Sequence, residues 1–528
     1  MSERPEPETP ERETLSQPAA RKKSPWRDVA LPASGFLALL GVVWFVNYQL
    51  RARLAPSAEE TEAAPPLPRP AQVVAEAIAV NPDAAFRALR PMVGVAGSLL
   101  PHRVDSLVAS GFGLPPYLGA LVDAEEPVVG AVGRDARGAY WVLGAHITSP
   151  RELLAELTGG ASPRFWIEER PEQGVTLILP KPGLTPMGSS VGLCGKILLA
   201  AEHDEHLLAL GPYVARTLAR RKGPTSLVRV EVDAGALDAM AVDRWDLSTT
   251  RTMRLREFVA GLGKLTLDVN VTSGELAAVL HVAPRASAAL PRLEAGSAEG
   301  LLDLPLGPVA AFLRAPAHWA AVWGEPLLTG DASARLEAAG TRLAEATAGG
   351  VACVLREGPA AGVLCRARIS NEEEVRGALE DATAILTAKG TVSALETQWG
   401  LAVARLPAGE GQGLRARAPE TDAHAFDVLW KTGEGRFDVG LGLGAARALE
   451  PQSSATWRTR KAAARWLSER PLAFALLAQP AKLGTPNAAS NPEALLGLTL
   501  EPAPGGWRVG LLAEPEALSP LVAALVTK

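Results

Sequence analysis

Two stretches that read alike decide the fold: Val128–Leu157, VVGAVGRDARGAYWVLGAHITSPRELLAEL, and Gly350–Leu379, GVACVLREGPAAGVLCRARISNEEEVRGAL. They align without a gap over 30 residues at an offset of 222. Val129/Val351, Val132/Val354, Arg134/Arg356, Ala139/Ala361, Ala145/Ala367, Ile147/Ile369, Glu152/Glu374 and Leu157/Leu379 are identical. Each copy spells strand, turn, strand, then a helix opened by a hydroxyl residue, Ser149-Pro150 or Ser370, with acidic residues in its first turn.

Downstream, Gly174-VTLILP matches Gly400-LAVARLP as an alternating strand. VGLCGKILLAAE before HLLALGPYVARTLARRK matches FDVLWKTGEGRFDVGLGLG before AARALE and the basic helix that follows. Leu227–Val232 matches Leu472–Leu477, and SGELAAVLHVAP matches PGGWRVGLLAEP at an offset of 231. A repeat of this length dictates architecture before any local detail. It predicts an α+β chain of two tandem homologous modules, 73–297 and 298–528. Each is expected to be a mostly antiparallel sheet with helices packed on one face. Each module is also expected to open with a mostly helical stretch, at 73–125 and 300–348.

The phrase SLVASGFGLPPYLGALVDAEEPVVGAV, a helix and short loop leading into the first strand, resembles uncharacterised single-anchored bacterial envelope proteins carrying a domain of unknown function. The resemblance implies this topology and carries no established activity.

Val29–Leu50 runs 22 residues without a charged side chain, long enough to cross roughly 30 Å of hydrocarbon as a helix. Arg21, Lys22, Lys23 and Arg27 precede it, and Arg51 and Arg53 stand where a signal peptide would be cleaved. The expected layout is a disordered cytoplasmic tail at 1–28, a transmembrane helix at 29–50 and a Pro/Ala/Glu-rich linker at 51–72. Positive charge on the N-terminal flank predicts a single-pass protein of the bacterial inner membrane, its N-terminus in the cytoplasm and its body outside or in the periplasm. The net charge of −5 implies no nucleic-acid partner. The 42 arginines against 11 lysines fit a G+C-rich genome as well as they fit phosphate recognition.

Three short motifs have plainer readings. Gly188-Ser189-Ser190-Val191-Gly192 matches the nucleophile elbow of serine hydrolases, yet the following LCGKILLAAE reads as a strand where a helix is required. Gly440-Leu441-Gly442-Leu443-Gly444-Ala445 matches a dinucleotide fingerprint without a parallel βαβ series around it. His203-Asp204-Glu205-His206 supplies two imidazoles where zinc needs at least three convergent ligands. The sequence therefore predicts no catalytic residue, no cofactor and no metal. Two basic clusters recur: Arg216, Arg220, Arg221 and Lys222 in the first module, and Arg458, Arg460, Lys461 and Arg465, with Trp457 and Trp466, in the second. Closing a helix, cations offset its macrodipole; as a surface, they could meet an anionic partner such as a lipid headgroup, a cell-wall polymer or an acidic envelope protein.

Cys353 and Cys365 lie equidistant from Pro359 on the two arms of VACVLREGPAAGVLCRA. A turn centred there places them opposite one another, with Val351 facing Ala367 and Leu355 facing Val363 in an apolar inner stripe, and predicts a disulfide. Ala131 and Leu143 hold the matching positions in the first module, and Cys194 remains unpaired. The reading that follows is a non-enzymatic, membrane-anchored envelope protein with an exported binding or structural body. The alternatives are a carrier or sensor of an apolar, lipid-like ligand, and a serine hydrolase using Ser190.

Overall fold

A computed structural model describes residues 65–93, 103–159, 165–181, 189–235, 260–272, 274–285, 294–314, 328–356, 362–407, 411–418, 423–450, 455–468, 470–483, 491 and 493–518. The first half begins with β1, Val73–Ala79, and α1, Pro82–Leu89, whose start is set by the Asn81 side chain accepting from the Ala84 N–H at 2.7 Å. Helix α2, Val104–Gly111, and a 3₁₀ turn, Pro116–Leu121, lead into β2, Val128–Asp135, and β3, Gly138–His146. The tight turn between β2 and β3 is held by Asp135 Oδ1, which accepts from the N–H of Arg137 at 2.7 Å and of Gly138 at 3.0 Å. Then come α3, Pro150–Thr158, capped by Ser149, and four strands: β4, Phe165–Arg170; β5, Val175–Pro180; β6, Ser190–Cys194; β7, Ile197–Ala201. Helix α4, Asp204–Tyr213, runs into a π turn, Val214–Leu218. Strands β8, Val228–Asp233, β9, Leu262–Thr272, and β10, Glu275–Pro284, close the half.

The second half opens with β11, Gly296–Ser297, α5, Glu299–Leu302, and β12, Val309–Leu313. Helix α6, Asp331–Ala346, is followed by β13, Thr347–Leu355, β14, Val363–Ile369, α7, Glu372–Leu386, and α8, Lys389–Trp399. Asn371 caps α7, one residue beyond the expected Ser370, accepting from the Glu374 N–H at 3.2 Å. Next are β15, Ala402–Arg405, β16, Gln412–Ala418, β17, Ala423–Gly433, β18, Arg436–Gly442, and α9, Ala445–Ala448. A 3₁₀ turn, Trp457–Thr459, then precedes α10, Lys461–Leu467, β19, Pro471–Leu472, β20, Phe474–Ala478, α11, Pro480–Leu483, β21, Leu496–Ala503, and β22, Gly506–Ala513.

Strand pairing orders the first half β4-β5-β6-β7-β3-β2-β1-β8-β9-β10. The second half runs β15-β16-β17-β18-β14-β13-β12-β20-β21-β22, the same order. Antiparallel pairing of β10 with β22 joins the two into one 20-stranded sheet. The seam is self-complementary. Val279 faces Gly510 across it. Outward from Val279, one row of paired residues reads Asp268, Arg229, Ile78, Val129, Gly144, Leu199. Outward from Gly510, the corresponding row reads Thr499, Ala475, Phe312, Ala352, Arg366, Asp438. This is the isologous arrangement of a symmetric dimer, built within one chain.

These facts correct the expected fold class. The transmembrane helix at 29–50 lies outside the described residues, as do the tail and most of the linker. No helix among the described residues is long and apolar enough to cross a membrane. The longest of them, α6, carries Asp331, Arg335, Glu337, Arg342 and Glu345, because its task is to cover a sheet with one face only. The halves share one hydrogen-bonded sheet instead of forming two separate ones. Helices cover both faces: α2 and α3 pack with Ile178, Leu198 and Ala200, and α4 with Val142, Leu177 and Leu199. Strand β7 is consequently buried along its whole length, the reason its run ILLAA does not alternate.

Three smaller expectations change as well. The stretches 73–125 and 300–348 contain β1 and β12, which sit mid-sheet in their halves. Gly400-LAVARLP forms β15, which takes the outermost place of β4 and not that of β5, because the second half inserts α8 before it. The positions matching Cys353 and Cys365 are Gly130 and Leu143, a directly facing pair, because the short first-half turn shifts the hairpin by one residue.

The cysteines face each other in a disulfide with their Cα atoms 3.9 Å apart, and Val351 faces Ala367 and Leu355 faces Val363. This stripe lies half-buried on the α6 and α7 side. The fully buried stripe is Ala352, Val354 and Leu364 on the other face. Cys194 is free and buried, and burial pushes its thiol pKa up. Denatured, unreduced protein should therefore show one free thiol, and three would contradict the bridge. Removing it by Cys353→Ser/Cys365→Ser should cost about 2–3 kcal/mol at most, since a loop closed by residues 12 apart is short.

The seam makes its own prediction. A Cβ on Gly506 would stand 2.0 Å from the Val282 carbonyl oxygen across the β22–β10 pairing. Gly506→Val should cost about 1–3 kcal/mol and separate the unfolding of the two halves into two calorimetric transitions. A single unchanged transition would show that the seam does not couple them.

Candidate functional site

The halves diverge along the paired rows. Around Ile78 and Arg229, the first half places Glu76, Glu231 and Lys264 on the same face of β1, β8 and β9. The second half has Ala310, Phe312, Ala475, Leu477 and Leu495 at the positions of Glu76, Ile78, Arg229, Glu231 and Lys264. All five are core residues beneath Trp457 and Trp466. The cause is the placement of helices. In the second half, α10 and the 3₁₀ turn before it cover the strands next to the seam, whereas in the first half α4 and its π turn lie over β2, β3, β6 and β7. Strand β1 stays buried in the first half and Ile78 remains apolar there, but β8 beside it is only half-buried and charge replaces hydrocarbon at Glu76, Arg229, Glu231 and Lys264.

On this face Glu76 is buried, 5% exposed, and its carboxylate holds three partners. The Tyr213 hydroxyl donates to Oε1 at 2.7 Å, Arg69 Nε approaches Oε1 at 2.8 Å, and Arg221 Nη1 donates to Oε2 at 2.9 Å. Arg229 grips Asp268 with two parallel bonds, 2.7 and 2.9 Å, and Ser226 donates to the same carboxylate at 2.6 Å. Lys264 reaches Glu231 at 2.6 Å. A cleft of about 190 Å³ opens among them, lined by Glu76, Ile78, Arg221, Lys222, Gly223, Pro224, Arg229 and Glu231.

Burial, with the Glu76 hydrogen bond and charge adding to it, raises the Tyr213 pKa to about 12. A tyrosine whose folded pKa lies above its unfolded value of 10 stabilises the fold fully below pH 10. That contribution is lost as pH rises from 10 through 12. Burial raises the Tyr140 pKa as well, so absorbance titration of phenolate should find two tyrosines ionising late, and Tyr213→Phe should remove one of the two late steps. Two late steps persisting in the variant would assign the Tyr213 step elsewhere.

The first basic cluster divides here. Arg221 and Lys222 line the cleft, Arg216 donates to the Gln173 carbonyl oxygen at 2.8 Å, and Arg220 is exposed at the end of the π turn. The second cluster does not close a helix. Arg458 lies in the 3₁₀ turn, Arg460 is the N-cap of α10 and Lys461 its first residue; only Arg465 is in the last turn. Tertiary ion pairs, not a dipole, hold the three arginines: Arg458 with Asp303 at 2.7 Å, Arg460 with Glu493 and Glu514, and Arg465 with Glu275 across the seam. Trp466 Nε1 also donates to Glu275, at 3.1 Å. The two clusters are therefore not brought together, and the second is largely neutralised by its own chain.

The remaining motifs take plain positions. Ser190 opens β6 opposite Ala201, in a sheet strand and not a strained elbow; Gly188 lies outside the described residues. Gly440 allows the backbone of the short α9 to approach, since a Cβ there would lie 2.2 Å from the Ala445 carbonyl oxygen, in an antiparallel setting. His206 stacks on Tyr140 with ring centres 4.0 Å apart and lies 3.2 Å from Asp135 Oδ2, while His203 is exposed. No group of three metal-ligating side chains occurs among the described residues.

No protein-family model matches the chain, and no curated protein matches it. Among solved structures, crystal form IV of TP0453 is similar at 10% identity, covering 40% of this chain and 76% of that one with a TM-score of 0.24. Crystal form I of TP0453 covers 44% and 82% at the same identity and TM-score. A likeness this slight bears on neither fold nor function.

Proposed function

We propose that the body is a non-enzymatic binding protein of the cell envelope, with the charged face of β1, β8 and β9 as its binding surface and the second half as its scaffold. The observation that carries this reading is the exchange of four core positions of the second half, Ala310, Ala475, Leu477 and Leu495, for Glu76, Arg229, Glu231 and Lys264 in the first. A surface kept charged where the homologous surface is a core presents groups to a partner. The Cys353–Cys365 disulfide suits an oxidising compartment outside the cytosol. Walls bearing both signs of charge favour an ionic ligand over the lipid-like one.

A photo-crosslinking residue at Lys264 should capture a defined adduct in living cells. One at Arg436, exposed on the second half, should not. Equal capture at both positions would remove the assignment of the surface. Ester hydrolysis abolished by Ser190→Ala would overturn the non-enzymatic reading.

A further inference from the structure

We propose that the cleft beside Glu76 is a binding site for a phosphate group, free or in a headgroup. This deepens the reading of the charged face and rests on it. The lining brings Arg221, Lys222 and Arg229 against Glu76 and Glu231. The ion-pair partners standing behind the lining are Arg69 on Glu76, Lys264 on Glu231 and Asp268 on Arg229. Five cations therefore meet three carboxylates, an excess of two positive charges. A phosphate monoester carries about −1.5 to −2 near neutral pH and would neutralise that excess.

The chemistry of the individual groups agrees. Glu76 takes one of the five N–H donors of the Arg221 guanidinium, which leaves four on a side chain that lines the cleft. Lys222 is exposed at the rim and supplies a compact ammonium. The buried carboxylate serves as an anchor that fixes Arg221 in place, so its ordering is complete before the anion arrives. Gly223 and Pro224 complete the lining beside Lys222. The volume of about 190 Å³ accommodates a phosphate and several waters.

The test titrates the full chain with inorganic phosphate by calorimetry, at constant ionic strength made up with chloride. Saturable binding should weaken about tenfold in Lys222→Gln, the loss of one charge-assisted hydrogen bond, and stay unchanged in Lys389→Gln on α8. Because Lys222 is exposed, the variant should melt at the wild-type temperature in the absence of phosphate. Flotation with phosphatidylcholine vesicles, with and without phosphatidic acid, separates the sources. Binding of phosphate alone assigns the free ion, and Lys222-dependent flotation only with phosphatidic acid assigns a headgroup. Absence of both, or phosphate binding indifferent to Lys222→Gln, overturns the site. If Lys264 still captures its partner in that case, the charged face survives and only the phosphate assignment falls.

Discussion

Trp457→Ala should destabilise the second half by about 3–5 kcal/mol, the range for truncating a fully buried tryptophan. Trp457 is 0% exposed and sits among Leu301, Leu302, Leu304, Ala463 and Leu472, where α5, the 3₁₀ turn and α10 meet the sheet. Its backbone N–H donates to the Leu304 carbonyl oxygen at 3.1 Å, which fixes the turn. Its indole N–H has no partner among the described residues. Trp457→Phe should therefore cost much less, below about 1.5 kcal/mol, since it keeps most of the ring and removes an unpaired donor. Urea denaturation of both variants is the measurement. A loss below 1 kcal/mol in Trp457→Ala would show that the second-half core is not organised around this ring.

Glu76→Ala is expected to cost about 2–3 kcal/mol, although alanine is the residue at the equivalent position of the other half. Removing the carboxylate strands the buried Tyr213 hydroxyl and leaves two cations facing each other. Arg69 and Arg221 are 47% and 40% exposed, so water screens part of the penalty and holds it below that of a fully buried pair. In the double variant Glu76→Ala/Tyr213→Phe, part of the loss should return, because no donor is then left unpaired. A coupling energy above about 0.5 kcal/mol between the two sites supports this account. Strict additivity would mean that Tyr213 and Glu76 stabilise the fold independently.

The candidate site was only partly legible in the sequence. Arg221 and Lys222 stood out as a basic run, but the groups that make a cleft of them, Glu76 and Arg229, lie far away along the chain. The signal that could have found them is the contrast between VRVEVD in β8 and FALLA in β20, one alternating with charge and the other wholly apolar. It becomes readable only with the strands aligned to the residue, and the sequence alignment was one residue off there, pairing Val232 and not Glu231 with Leu477. In a strand one residue exchanges the faces.

Local pattern and repetition are written in the amino-acid sequence. The repeated strand, turn, strand and capped helix at Val128–Leu157 and Gly350–Leu379 is local chemistry, written twice. So is the register of the second hairpin, because Cys353 and Cys365 are equidistant from Pro359 and a turn acts only on its neighbours. The tertiary structure alone decided three things: the joining of the halves through Val279 and Gly510, the covering of both sheet faces, and the placement of α10 over an apolar surface whose first-half counterpart is charged. Each depends on which distant surface a helix or strand edge meets. β10 and β22 read as ordinary strands until their exposed edges find one another, because backbone hydrogen bonds across a sheet edge carry no mark in the side chains.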